Sequence, residues 1–324
     1  MNAQPQRPTG TMRLWAVAMV RNESDVIEAF VRHNLGILDG LAIVDHGSFD
    51  GTAEILAELA REGLPLRISR DAEPAFQQSL RITQVVRQML TEEGADFVFA
   101  LDADEFLRVA SREQLERALR DVPSGMHAVA HWLTYVPDSF EDGLPFGPGH
   151  LRRRLQVERH TAQGYHKVIV GRALLGRPDD RIGEGNHLVG STNDVAAPPH
   201  ARLRQDIVCV AHCPVRSRSQ LESKVIIGYL AYAARPALET SVGFHWRDLY
   251  EDLRAGESFT RERLLEIACN YGLPRNEWTP VSAIELTEDP VPLACELRYP
   301  PPVAMDTVRR LMFFAETLVA RGKC

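Results

Sequence analysis

Apolar and polar positions along the first part of the chain follow two periods in turn. Residues 14–20, Leu-Trp-Ala-Val-Ala-Met-Val, are apolar without a break, which predicts a strand covered on both faces. After Arg21-Asn22-Glu23 the apolar positions become Val26, Ile27, Phe30, Val31 and Leu35, the spacing of one helix face, and Gly36 closes the segment. Residues 41–44 predict a second strand, and Ile55, Leu56 and Leu59 a second helix that stops at Gly63. A third strand is expected at 67–69. Leu80, Ile82, Val85, Val86, Met89 and Leu90 then mark a longer helix leading through Gly94 to a buried strand at 97–101. Alternating strands and helices call for an α/β fold, a mostly parallel sheet with helices on both faces.

Ser111-Arg-Glu-Gln114 fits a capping box opening another helix, and 126–136 predicts a further strand. Residues 137–149, rich in Pro, Gly and Asp, predict a loop; 156–172 and 207–212 predict strands. Past Pro214 the pattern turns helical at 220–234, 246–253, 261–271 and 307–320, with a proline-rich extended stretch at 289–303. The expected organisation is a disordered tail at 1–12, a catalytic domain at 13–215 and a helical region at 216–324. The last helix, with Leu311, Met312, Phe313 and Phe314, is expected to dock on the core or on a second copy in a homodimer.

With 324 residues, 44% hydrophobic and 25% charged, the chain can bury a sizeable core. A net charge of -7 argues against general nucleic-acid binding. Residues 1–12 lack the apolar core of a signal peptide, and no later run approaches the roughly 18 apolar residues needed to cross a bilayer. The expectation is a cytoplasmic protein without a transmembrane segment, with peripheral attachment at a membrane surface left open. Cysteines at 209, 213, 269, 295 and 324 do not form a disulfide framework, and Cys209, His212 and Cys213 lack a fourth zinc ligand.

Candidate chemistry gathers at strand ends. Asp102 and Asp104 follow the apolar strand at 97–101; if the backbone stays extended, the period of two sends both carboxylates to one side, where they can hold a divalent cation and, through it, phosphates. Asn22 and Glu23 sit where strand one meets its helix, and Asp45 ends strand two, so all face one crevice, the usual ligand position in open α/β sheets. Asp45 is placed to accept from a base N–H, and the Arg21-Asn22-Glu23 turn to contact base or ribose. Each also has a plainer role: Asn22 suits an N-cap, and Asp50 or Thr52 would cap helix two.

Val-Arg-Asn-Glu23, Val-Asp-His-Gly-Ser-Phe-Asp-Gly-Thr52 and Leu-Asp-Ala-Asp-Glu-Phe106 resemble, in order, the signatures of family-2-type glycosyltransferases with the GT-A fold. Phe49 departs from the family's Thr. His212-Cys-Pro-Val-Arg-Ser-Arg-Ser-Gln-Leu-Glu-Ser-Lys224 resembles a His-Tyr-x-x-Arg-Ser…Lys segment of a bacterial branch. The resemblance implies a GT-A, Rossmann-like core that binds a nucleotide-sugar donor (UDP-, GDP- or dTDP-sugar). Asp102 would lie near ribose and metal, Asp104 would be the principal Mn2+ or Mg2+ ligand, and His212 a further one. Lys167, Arg216 and Arg218 are candidates for phosphate contacts. The acceptor, a glycan, a lipid-linked sugar or a small molecule, is not specified.

Inverting transfer needs a general base on the acceptor hydroxyl. The family's acidic pair followed by Gln-x-x-Arg-Trp is not recognisable, and Glu184 in Ile-Gly-Glu-Gly-Asn-His187 is the candidate, with His187 close by and Asp138 and Asp142 as rivals. The 259–271 helix, with Tyr271 at its end, and the His245-Trp246 pair suggest acceptor binding, but apolar positions at three- and four-residue spacing make core packing the better account. Two other functions compete. One is a metal-dependent phosphotransferase or phosphohydrolase with Asp102 as nucleophile, although its usual Thr would stand at 106, where this chain has Phe. The other is a non-catalytic nucleotide-sugar-binding module.

Overall fold

The structure is a computed structural model that describes residues 11–156, 166–191, 198–235, 244–292, 296–301 and 306–321. In chain order the strands are β1 (Leu14–Val20), β2 (Gly40–Asp45), β3 (Leu66–Arg70), β4 (Phe97–Leu101), β5 (Glu105–Val109), β6 (His127–Val136), β7 (Arg153–Leu155), β8 (His166–Gly171), β9 (Asp180–Ile182), β10 (Val189–Ser191), β11 (His200–Arg202), β12 (Val208–His212) and β13 (Leu286–Glu288). The helices are α1 (Ile27–Leu35), α2 (Thr52–Arg61), α3 (Gln78–Thr91), α4 (Arg112–Arg120), α5 (Arg218–Ala233), α6 (Phe244–Arg254), α7 (Arg261–Asn270) and α8 (Thr307–Arg321).

The main sheet runs β13-β7-β6-β8-β4-β1-β2-β3. The β3-β2-β1-β4 half is parallel throughout, while β8 is antiparallel to both β4 and β6. The apolar strands are continuous because both their faces are covered. Leu14, Ala16, Ala18 and Val20 pack with α1 and α2 residues such as Phe30 and Leu56, whereas Trp15, Val17 and Met19 meet Ile82, Val86 and Met89 of α3. Each fully buried Val, Leu, Ile, Phe or Met side chain among these contributes roughly 1.5–3 kcal/mol of apolar burial. At Gly40 an added Cβ would lie 2.6 Å from the Trp15 ring, so only glycine admits this tryptophan between β1 and β2. The architecture is the α/β, Rossmann-like one implied by the resemblance.

Three sequence expectations change. The chain does not stay extended through Asp102 and Asp104: β4 stops at Leu101, a tight turn follows, and β5 folds back to pair antiparallel with β12. Glu105 N–H donates to Asp102 O at 3.1 Å, and the Glu105 carboxylate accepts from Asp102 N–H at 2.9 Å, closing the turn. The other edge of β5 is served by Asn34 of α1, which accepts from Leu107 N–H at 3.0 Å and donates to Glu105 O at 3.1 Å. Second, the region after residue 215 is not purely helical, since β13 returns to pair with β7. Third, the strand expected at 156–172 is β8 alone among the described residues; 157–165, like the tail at 1–10, lie outside them. Of the capping box expected at Ser111–Gln114 the structure shows the Ser111 half, its Oγ accepting from Gln114 N–H at 3.1 Å.

Candidate active site

The strand ends of β1 and β4, the β12 end and helices α5 and α6 enclose a cavity of about 350 Å³. Its lining includes Arg21, Asn22, Glu23, Asp102, Asp104, Lys167, Glu184 and His212, so the fold gathers most of the expected site residues in one place.

The first two motifs are laced to each other. Asn22, in the left-handed region at φ 58°, donates its N–H to Ser48 Oγ at 3.0 Å, and its Oδ1 accepts from Phe49 N–H at 3.0 Å. Glu23 N–H donates to Thr52 Oγ1 at 2.9 Å, and Ser24 N–H to Asp50 Oδ2 at 3.0 Å. Asn22 is therefore a clasp between loops, not an N-cap; the cap position of α1 is Val26. Asp45 does not reach the cavity wall: it is 2% exposed, and its Oδ1 accepts from Ser48 N–H at 2.9 Å. The carboxylate expected to read a base shapes a turn, because it is the nearest acceptor for that turn's buried N–H. Arg21 spans the same loops, its Nε donating to His46 O at 2.6 Å; burial draws its pKa down to about 10 against the pull of Asp45 and Asp71.

The turn after β4 sends its two aspartates to different partners. Asp102 Oδ1 accepts from Gln78 Nε2 and Asn186 Nδ2, each at 3.1 Å, and Oδ2 pairs with Lys167 Nζ at 2.5 Å. Lys167 also reaches Glu105 Oε1 at 2.8 Å and Gly185 O at 2.8 Å. Glu105 is wholly buried, and burial, only partly offset by Lys167, pushes its carboxyl up to about 8.

Asp104 Oδ2 pairs with Lys224 Nζ at 2.6 Å and lies 3.5 Å from Arg216 Nη1, while Oδ1 faces His212 Nε2 at 3.7 Å, beyond hydrogen-bond range. Burial works against ionising Asp104, yet Lys224 and the other charges around it, Arg216 among them, hold its carboxyl below the ordinary range. Burial keeps His212 neutral, with its pKa well below the usual value despite Asp104. Asp104, Glu105 and His212 each offer a ligand atom within 4.8 Å of the others, the one cluster among the described residues suited to a metal. The open span from Asp104 Oδ1 to a neutral imidazole nitrogen fits a divalent cation, whereas Asp102 already accepts from three nitrogen donors.

Glu184 lines the cavity on a short 3-10 turn, 3.4 Å from Arg235 Nη1 at the end of α5. Its rivals face elsewhere: Asp138 pairs with Arg153 at 2.8 Å, and Asp142 accepts from Ser219 N–H at 2.9 Å. Arg216 is fully buried beneath the site, bound to Glu23, Asp25 and Asp104, and does not line the cavity. A phosphate contact is thus excluded for it in this arrangement; the acidic residues under the first turn claim its guanidinium. Arg218 is half exposed on Glu222 at 2.7 Å.

Two features escaped sequence reading. Lys224, one α5 turn past Gln220, stands on Asp104 at the cavity wall; its place in the quoted segment twelve residues after His212 was the available signal. His245, Trp246 and Tyr271, read as core, line the cavity too, with the His245 and Tyr271 rings 5.3 Å apart. Phe49, the departure from the motif, stacks on Phe313 of α8 with ring centroids 5.5 Å apart. The last helix therefore docks on the motif loops and on α5.

These features define an α/β protein with a cavity at the strand ends. No family model and no curated protein matches the chain. Among solved structures, a mannosyltransferase from Pyrobaculum calidifontis in complex with GDP-Man and Mn2+ is similar over 82% of this chain and 73% of its own, at 14% identity and TM-score 0.39. A protein from Desulfovibrio desulfuricans G20, described as a nucleotide-diphospho-sugar transferase, is similar over 75% and 96% at 12% identity and TM-score 0.33. Glucosyl-3-phosphoglycerate synthase from Mycobacterium tuberculosis, with Mn2+, UDP and glucosyl-3-phosphoglycerate, covers 40% of this chain and half of its own, at 19% identity and TM-score 0.25. Likeness this loose carries no argument about activity. No described helix is long and apolar enough to cross a membrane.

Proposed function

We propose that the protein is a glycosyltransferase that moves a sugar from a nucleoside-diphosphate donor to an acceptor hydroxyl with inversion. The observation that carries this reading is the strand-end cavity in which Asp104 Oδ1 and His212 Nε2 stand 3.7 Å apart beside Asn22, Glu23 and Glu184. Asp104 and His212 would hold the divalent cation, with Glu105 behind them; one imidazole and one carboxylate suit Mn2+ better than the all-oxygen preference of Mg2+. When bound, that ion offsets charge gathering on the departing diphosphate.

Lys224 and Lys167, both on the cavity wall, add fixed positive charge beside the phosphates. The turn at Arg21-Asn22-Glu23 offers its backbone to the base or ribose. Glu184 takes the proton of the acceptor hydroxyl as that oxygen bonds to the anomeric carbon and the carbon–diphosphate bond breaks. His245, Trp246 and Tyr271 give the acceptor an aromatic wall.

The test is a melting-temperature screen of UDP-, GDP- and dTDP-sugars with Mn2+, Mg2+ or EDTA, followed by product analysis for released nucleoside diphosphate. A rise in melting temperature that needs both a nucleotide sugar and a divalent ion, with slow donor hydrolysis, is expected. Hydrolysis of a phosphomonoester without any nucleotide sugar would favour the phosphohydrolase reading instead. Tight donor binding without turnover would favour a binding module.

A further inference from the structure

The Asp102 network ends on the loop that carries Glu184. Gln78, the first residue of α3, donates through Nε2 to Asp102 Oδ1 and accepts through Oε1 from Gly185 N–H at 2.8 Å. Asn186 reaches the same Oδ1 from the far side of that loop, and Lys167 joins Asp102 Oδ2 to Gly185 O. Glu184 is therefore followed by two residues, Gly185 and Asn186, that are each tied to this one carboxylate directly or through one intermediate. Gly185 and Asn186 both lie in the left-handed region, at φ 76° and 62°, which glycine enters freely and asparagine more readily than most residues. At Gly185 a Cβ would also fall 2.7 Å from His187 Nε2. These residue types suit the loop's shape, and the contacts to Gln78 and Asp102 hold it in place.

We infer that Asp102 is a positioning residue that fixes the Glu184 loop, and that Asp104 without Asp102 provides the carboxylate contact to the ion. This rests on the reading of Glu184 as the base. A base displaced by about 1 Å loses roughly a hundredfold in rate, so Asp102 acts on turnover through the loop and leaves donor binding in place.

The experiment compares Asp102→Ala, Asn186→Ala and Asp104→Ala in the full chain. It uses calorimetry with GDP and UDP in the presence of Mn2+, hydrogen exchange of the 183–187 peptide, and turnover of whichever donor the screen selects. Asp102→Ala and Asn186→Ala are expected to keep Mn2+-dependent nucleotide affinity within about threefold, to speed exchange of 183–187 at least tenfold, and to lower kcat more than they raise KM. Asp104→Ala should do the reverse, losing Mn2+ dependence with the loop's exchange unchanged. Loss of Mn2+-dependent binding in Asp102→Ala with unchanged loop exchange would overturn the inference. If Glu184→Gln turned over normally while Asp102→Ala still freed the loop, the base assignment would fail and the positioning role would stand.

Discussion

On one side of the cavity floor Asp102 is 30% exposed, answers Lys167, Gln78 and Asn186, and sits in a web that reaches the Glu184 loop; on the other, Asp104 is 2% exposed and divides its oxygens between Lys224 and the open span to His212. The two residues share a side-chain type and are separated by one alanine. They differ because a turn, not a strand, carries them, and a turn aims successive side chains at different elements. One carboxylate accepts from three protein donors and so organises protein. The other keeps an oxygen toward the cavity and so can organise a ligand. Position in a motif does not assign the role; the partners do.

The largest way to break this comparison is at the loop. Glu184→Gln should lower turnover by roughly 10²–10⁴-fold with donor affinity unchanged, the range for a lost general base; steady-state kinetics showing a normal kcat would detach the Asp102 side from chemistry. Next, Asp104→Asn should weaken Mn2+-dependent GDP or UDP binding by roughly a hundredfold or more, since groups that merely orient ligands already cost about 10–100-fold. An equal loss in Asp102→Asn would erase the distinction. Lys167→Met leaves Asp102 and Glu105 without their shared ammonium and should cost about 3 kcal/mol of stability, read from the denaturant midpoint. A cost under about 1 kcal/mol would mean the web is dispensable.

Smaller effects sharpen the picture. His245 is neutral in the fold, burial and then Lys224 having drawn its pKa down to about 4, and in the unfolded chain it titrates near 6.5. Between these values the unfolded state binds more protons, so its contribution is complete above about pH 6.5 and lost as pH falls toward 4. His245→Phe should therefore gain melting temperature relative to wild type on acidification across that window; a constant difference would count against a buried neutral imidazole. The smallest change is Phe49→Ala, which should cost about 1 kcal/mol of the stacking on Phe313 and raise exchange in α8 alone. If exchange also rose at 183–187, α8 and the Asp102 web would be coupled.

Much of the fold was legible. Unbroken apolar runs at 14–20 and 97–101 announced strands covered on both faces, and β1 does divide its side chains between two cores. The ordered motifs placed Asn22, Glu23, Asp102, Asp104 and His212 near one cavity. Asp45 was misplaced because a carboxylate at a strand end serves the nearest buried N–H as readily as a ligand. Arg216 was misplaced because local pattern cannot reveal that Glu23, Asp25 and Asp104 converge beneath it.

The sequence by itself determined the alternation of elements, the strand-end position of the acidic motif and the apolar faces, since these depend on neighbours a few residues away. Only the tertiary structure decided that β5 folds back at Asp102, that Lys167 and Lys224 take one aspartate each, that Phe49 stacks on α8 and that three aromatic residues face a cavity. Those outcomes join residues 65, 120 and 264 positions apart, such as Lys167 with Asp102, Lys224 with Asp104 and Phe313 with Phe49. Contacts across that separation depend on how whole elements pack, which no local period encodes.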